Sequence, residues 1–159
     1  HRSGVLFRAA RRAGVARIVH VSIANPVEGS SLPYFRGKAA VEADLRRLGV
    51  PHTVLRPTMV FGREDILLNN IAWLLRRFPV FPVAGRGDYG LQPIHVDDFA
   101  ALAVDQGQKT ENITLNAVGP EAPSYREIVQ TIGQAIGRRA RILRSPRWFI
   151  RMSSRVLGW

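Results

Sequence analysis

Tyr34 and Lys38 are the two residues whose types and spacing could do chemistry. The chain holds three Tyr and two Lys among 159 residues. A Tyr followed four places later by a Lys is therefore expected roughly 0.04 times by chance. Four residues is one helical turn. An ammonium one turn from a phenol favours the phenolate, and a tyrosine held that way can donate or take a proton at a substrate hydroxyl or carbonyl. The lysine can also hydrogen-bond a ribose. The same spacing is compatible with a lysine that snorkels beside a half-buried tyrosine.

A helix must position this pair. Tyr34, Lys38, Val41, Leu45 and Leu48 follow at intervals of four, three, four and three, one stripe of a helix over 34–48 that Gly49-Val50-Pro51 stops. A lysine on a core-facing stripe needs a partner or a polar pocket, because burying its charge alone is costly. Upstream, residues 4–13 read as an amphipathic helix ending at Gly14, and 17–21 as a buried β-branched strand. Ser22 closes that strand twelve residues before Tyr34, where its hydroxyl could meet the phenol. Residues 52–55 read as a second buried strand, ended by Arg56-Pro57. Helix–strand–helix–strand implies parallel strands joined by right-handed crossovers.

The rest is less regular. A helix is expected over 66–78, a turn-rich stretch over 79–90, and a short strand over 92–96. Asp97 or Asp98 is expected to cap a helix from Phe99 to about Gln106. Residues 113–116 read as a strand. Ser124 and Glu127 have capping-box spacing and open a helix that Gly137 closes. Residues 144–159 read as a basic amphipathic helix: Phe149, Met152, Val156 and Trp159 share one face, while Arg147, Arg151 and Arg155 share another. Such a helix could dock on an anionic membrane surface or an acidic partner. It would equally pack on further chain of its own.

Composition narrows the classes. At 46% apolar and 22% charged the chain is globular, and no apolar run reaches the roughly 20 residues of a membrane span. Zero cysteines exclude disulfides, a thiol nucleophile and Cys-ligated metal, and no metal site is expected. The net charge of +11 is concentrated at the ends. Five Arg and no acid lie in 1–20, ten basic residues face eleven acids in 21–125, and eight Arg face Glu127 alone in 126–159. Basic ends around a neutral body are not the continuous stripe of a nucleic-acid groove, so no nucleic-acid partner is expected.

Three motifs in order carry a resemblance. V21-S22…Y34-F-R-G-K38-A-A-V-E42, L55-R-P-T-M-V-F-G-R-E-D65 and P93-I-H-V-D-D-F-A100 together resemble the short-chain dehydrogenase/reductase superfamily. Within it they are similar to the extended and atypical members, which include nucleoside-diphosphate-sugar epimerases, and to the branch of the complex I NAD(P)H-binding subunit. The resemblance runs from about residue 4 to about 137. It implies a Rossmann-type fold and NAD or NADP as cofactor. Tyr34 is then the proton donor, Lys38 the ribose ligand and Ser22 the assistant of Tyr34. The epimerase-like members often carry that Ser or Thr a residue or two later, where Ile23 and Ala24 stand. Pro57, Thr58, Met59 and Val60 match the segment passing the nicotinamide, and Gly62 and Arg63 match the substrate end. Arg63 would hold a phosphate or carboxylate, or pair with Glu64 or Asp65. His95 belongs to the H-V-x-D motif, mainly architectural with a possible substrate contact, and Asp98 is read as a helix cap rather than an acid catalyst.

One family feature is missing. No G-x-x-G-x-x-G occurs, and Gly85-Arg-Gly87 precedes Asp88-Tyr-Gly90 rather than a helix. The expectation is therefore the C-terminal part of a doubly wound parallel sheet, a fragment whose pyrophosphate-binding half lies upstream. Residues 1–61 would form the second half of the dinucleotide domain, 62–143 a small mixed substrate-side lobe with the remaining Rossmann elements, and 144–159 the tail. The expected function is an oxidoreductase or epimerase-like protein acting on an unidentified small molecule. The alternative is a non-catalytic NAD(P)H-binding subunit of a respiratory or quinone-related membrane complex. The expected location is the cytoplasm, at the inner-membrane surface if the tail docks there.

Overall fold

The computed structural model describes residues 2–78 and 80–145. In chain order the elements are α1 (Arg2–Arg12), β1 (Ile18–Val21), α2 (Pro33–Leu48), β2 (His52–Pro57), β3 (Met59–Phe61), α3 (Ile66–Arg77), β4 (Val80–Ala84), β5 (Pro93–His95), α4 (Val96–Gln108), β6 (Ile113–Ala117), α5 (Tyr125–Ala135) and β7 (Arg141–Ser145). They fall into two units that interleave along the chain: residues 1–60 with 93–119, and 61–92 with 120–159. The chain leaves the first unit after residue 60 and returns to it for β5, α4 and β6.

The first unit is built on a parallel sheet of order β1-β2-β6. Ile18 pairs with His52 and Val21 with Leu55, while Thr53 pairs with Ile113 and Pro57 with Ala117. Central β2 buries His52, Thr53, Val54 and Leu55, as expected of a strand covered on both faces. Arg17 anchors the sheet by donating to the Gln106 carbonyl at 2.7 Å, the Thr53 hydroxyl at 2.7 Å and the Glu111 carbonyl at 2.5 Å. α1 packs on α2, and α4 lies against β1 and β2. Phe7, Val41, Leu45 and Val54 form the core.

Pro33 sits at the start of α2, where its fixed φ and missing N–H cost nothing, and Gly49 ends the helix at φ +68°. Because β1 runs into α2 and α2 returns to β2 in a parallel sheet, the N-terminal turn of α2 stands at the carboxyl edge of that sheet. Ligands of open α/β sheets bind at this edge.

The second unit packs Ile71, Leu75, Phe81, Val83 and Val129 into a separate core. β4 and β7 pair in parallel, Val80 with Arg141 through Ala84 with Ser145, and Gly90 bridges Ser124 antiparallel. Asp65 caps α3 by accepting from the Leu68 amide at 2.7 Å, and Ser124 and Glu127 form the expected capping box on α5.

Four expectations need correction. β3, β4 and β7 fall where no strand was expected, and β2 runs through Arg56-Pro57 instead of stopping there. α4 begins at Val96 rather than Phe99, and its cap is neither Asp97 nor Asp98. His95 holds that position, its ring nitrogen accepting from the Asp97 amide at 3.3 Å. Arg144 and Ser145, assigned above to the tail helix, end β7. The remainder of that proposed helix, 146–159, lies outside the described residues.

Candidate functional site

Tyr34 and Lys38 flank one pocket. Ser3, His20, Pro33 and Gly37 line it with them, and its volume is about 260 Å³. Tyr34 is 61% exposed, so its phenol is open to a ligand. Phe35 meets its ring edge-on at 5.8 Å, and the Lys38 ammonium stands 6.0 Å from the ring centroid, the outer reach of a cation–π contact. Lys38 makes no ion pair among the described residues. An ammonium and a phenol that both keep free hydrogen-bonding capacity over an open pocket fit a group rich in hydroxyl oxygens, such as a ribose.

His20 is the residue that the sequence reading missed. It lines the same pocket, with its ring edge-on to Phe7 at 5.4 Å. Its Nε2 is buried without a hydrogen-bond partner among the described residues. Burial and the Lys38 charge lower its pKa, against a smaller raising effect of Glu42. The imidazole is therefore held neutral beside the lysine. The available signal was alternation: His20 and Ser22 share one face of the strand.

Ser22 does not join Tyr34. It is 3% exposed, and its hydroxyl makes no hydrogen bond to the phenol or to any other described group. It faces Glu42 closely enough to help hold that carboxylate ionised, without hydrogen-bond geometry. Glu42, 1% exposed, is the centre of a charge network. Arg56 grips it with two bonds of 3.0 and 2.6 Å, and Arg46 adds one of 2.8 Å. Burial pushes the Glu42 pKa up, but the hydrogen bonds and charge of Arg56, with Ser22 and Arg46, outweigh it and leave the pKa lowered.

The remaining sequence candidates divide between the two units. Pro57 ends β2, its carbonyl accepting from the Ala24 amide at 3.0 Å, and Thr58 follows it exposed. Met59 and Val60 lie in β3, whose partner strand β5 carries His95. Gly62 and Arg63 belong to the second unit. Arg63 is exposed and makes no ion pair with Glu64 or Asp65, whose carboxylate caps α3 instead. No metal-holding group of His, Asp or Glu occurs among the described residues, and no helix among them is long and apolar enough to cross a membrane.

Curated relatives resemble this chain in sequence. The mitochondrial NADH dehydrogenase (ubiquinone) 1 alpha subcomplex subunit 9 of Arabidopsis thaliana is 27% identical over 137 residues, 84% of this chain and 34% of its own length. The Mus musculus protein of that name is 37% identical over 92 residues, 57% of this chain and 24% of its own length. Among solved structures, UDP-glucose 4-epimerase of Thermotoga maritima, with UDP-glucose, superposes at a TM-score of 0.76, 20% identity, over 91% of this chain and 55% of its own. The dTDP-4-dehydrorhamnose reductase of Bacillus anthracis, with NADP, gives 0.78 at 15% identity, over 93% and 57%. The chain shares the Rossmann-type fold of these epimerases and reductases. No family model matches it. The chain spans 24 to 38% of the length of the mitochondrial NADH dehydrogenase relatives it matches.

Proposed function

We propose that this chain carries the proton-transfer and ribose-holding side of an NAD(P) site, acting in an oxidoreductase or epimerase-like protein on a hydroxyl or carbonyl substrate. The observation that carries the reading is the Tyr34–Lys38 pair, set on one turn of α2 at the carboxyl edge of a parallel sheet and open to a pocket. A nicotinamide dinucleotide, when bound, supplies hydride transfer. The Tyr34 hydroxyl holds or takes the proton at the substrate oxygen. Lys38 hydrogen-bonds the ribose hydroxyls. His20, kept neutral, is a proton acceptor beside them. Pro57, Thr58, Met59 and Val60 would pass the nicotinamide, while Gly62, Arg63 and His95 would meet substrate. Ser22 would act through Glu42 or reorient toward substrate. Structural relatives solved with NAD and with NADP support the cofactor class, and the choice between the two dinucleotides rests with residues outside these motifs.

A second reading is favoured by the curated relatives. Several are named as subunits of mitochondrial NADH dehydrogenase, which supports a non-catalytic NAD(P)H-binding subunit that stabilises a respiratory complex at the inner-membrane surface, with residues 144–159 as a docking segment. One substitution separates the readings. In the full-length protein, Tyr34→Phe should abolish turnover and leave NADH affinity intact, whereas Lys38→Met should weaken NADH binding. Turnover unchanged in Tyr34→Phe removes the tyrosine as the acid and leaves the assembly reading. NADH affinity unchanged in Lys38→Met removes the ribose role.

A further inference from the structure

The second unit holds a larger pocket with a different chemistry. Five arginines, Arg76, Arg77, Arg138, Arg139 and Arg141, line about 450 Å³ above Leu75, and no acidic residue joins them. None of the five makes an ion pair among the described residues. Glu127, the acid nearest before Arg138 in the sequence, is already committed to the α5 capping box.

The backbone holding these side chains is fixed. Leu75 belongs to the core with Phe81, Val83 and Val129, which sets the end of α3. The turn after α5 lies flat on the helix. The Arg138 amide donates to the Gly133 carbonyl at 2.8 Å, and a Cβ on Gly133 would come within 2.9 Å of the Arg138 carbonyl oxygen. Arg141 opens β7, paired to Val80 of β4. Five like charges held around one cavity repel each other, and the carbonyl end of α3 adds no attraction for an anion. Only a ligand of several negative charges turns that repulsion into pairs, and guanidinium forks match phosphate oxygens two at a time.

We propose that this pocket binds a phosphate polyanion, a site separate from the Tyr34–Lys38 pocket and independent of the cofactor reading. Two sources share this chemistry: a phospholipid headgroup and a free diphosphate. Exposed aromatics lie on the same stretch of α3 as the arginines. Trp73 is 5.9 Å from the Arg77 guanidinium, and Phe78 lines the pocket half-exposed. Such side chains suit the headgroup zone of a membrane.

The test uses the full-length protein with NADH present at saturation, so that the cofactor site is filled, and inorganic pyrophosphate as the calorimetric probe. Flotation runs in parallel with vesicles of phosphatidylcholine, with and without phosphatidylglycerol. The variant Arg138→Gln/Arg139→Gln removes two pocket charges. Arg8→Gln/Arg11→Gln removes the same charge from a three-arginine cluster on α1. The pocket variant should bind pyrophosphate about a hundredfold more weakly, about tenfold per arginine, with the α1 variant unchanged. Flotation that needs phosphatidylglycerol, is competed by pyrophosphate and is lost in the pocket variant assigns the lipid source. Pyrophosphate binding without flotation assigns the soluble one. No binding of either probe, or equal losses in the two variants, overturns the proposal. Circular dichroism of both variants confirms that each is folded, and NADH affinity, titrated separately in each variant, is not expected to move.

Discussion

Glu42 shows at the scale of single residues how the site's floor is built. Its carboxylate is removed from water between β2 and α2, and it is tolerated there because Arg56 and Arg46 together supply three charge-assisted bonds. The two arginines should not be equivalent. The Arg56 side chain is 26% exposed and bidentate, whereas that of Arg46 is 46% exposed and makes one bond. Glu42→Ala leaves Arg56 as an uncompensated, partly buried charge and is expected to cost on the order of 3 kcal/mol. Arg46→Ala should cost about 0.5 kcal/mol, the range of an exposed helix pair. Urea denaturation measures both, and a Glu42→Ala cost no larger than that of Arg46→Ala would show that Arg56 adds nothing beyond Arg46. Because Lys38 is one turn from Glu42 on the same helix, loosening that network should also raise the NADH dissociation constant.

At the scale of elements, two glycines make opposite predictions. A Cβ on Gly119 would lie 2.1 Å from the Pro93 carbonyl oxygen. Gly119→Ala must therefore push β5 aside, at a cost of about 1–3 kcal/mol. Gly107 sits in α4 with its nearest contact 4.0 Å away, so Gly107→Ala should stabilise by about 0.5–1 kcal/mol. Thermal unfolding of the two variants should move in opposite directions, with faster amide exchange at residues 93–95 in Gly119→Ala. What could be read from sequence follows the same local logic. α2, α3, α5, β1 and β6 carry their own periodicity and stops, and the Tyr34–Lys38 pair was legible because it lies within one helical turn. β4 was not, because Pro79 and Pro82 read as turn residues. A proline is tolerated in this strand because, among the described residues, β7 pairs with it on one side only. β7 was hidden because Arg141-Ile-Leu-Arg-Ser145 looks like the start of a basic tail until its partner, far upstream, is known. His20 and Glu42 were missed for a related reason: each acquires its role from a neighbour on another element.

At the scale of the whole molecule, the chain's path sets the energetics. It leaves the first unit at β3, builds most of the second, returns for β5 to β6, and leaves again. Each unit is thus closed by segments distant in sequence, yet each has its own apolar cluster: Phe7, Val41, Leu45 and Val54 in one, and Ile71, Leu75, Phe81, Val83 and Val129 in the other. Leu45 and Val129 are both 0% exposed, one at the centre of each cluster. If the clusters are separate cooperative cores, Leu45→Ala should lower amide protection across β1, β2 and β6 by about 2–5 kcal/mol and leave α3, β4 and α5 unchanged. Val129→Ala should do the reverse, at a smaller cost because fewer methyl groups are removed. Native-state hydrogen exchange reads both patterns at once. The same experiment bears on function, since the proposed cofactor pocket and the arginine pocket stand on different cores: Leu45→Ala should weaken NADH binding without changing the response to pyrophosphate. Protection lost throughout the chain in either variant would instead mean that the interleaved path welds the two units into one cooperative body.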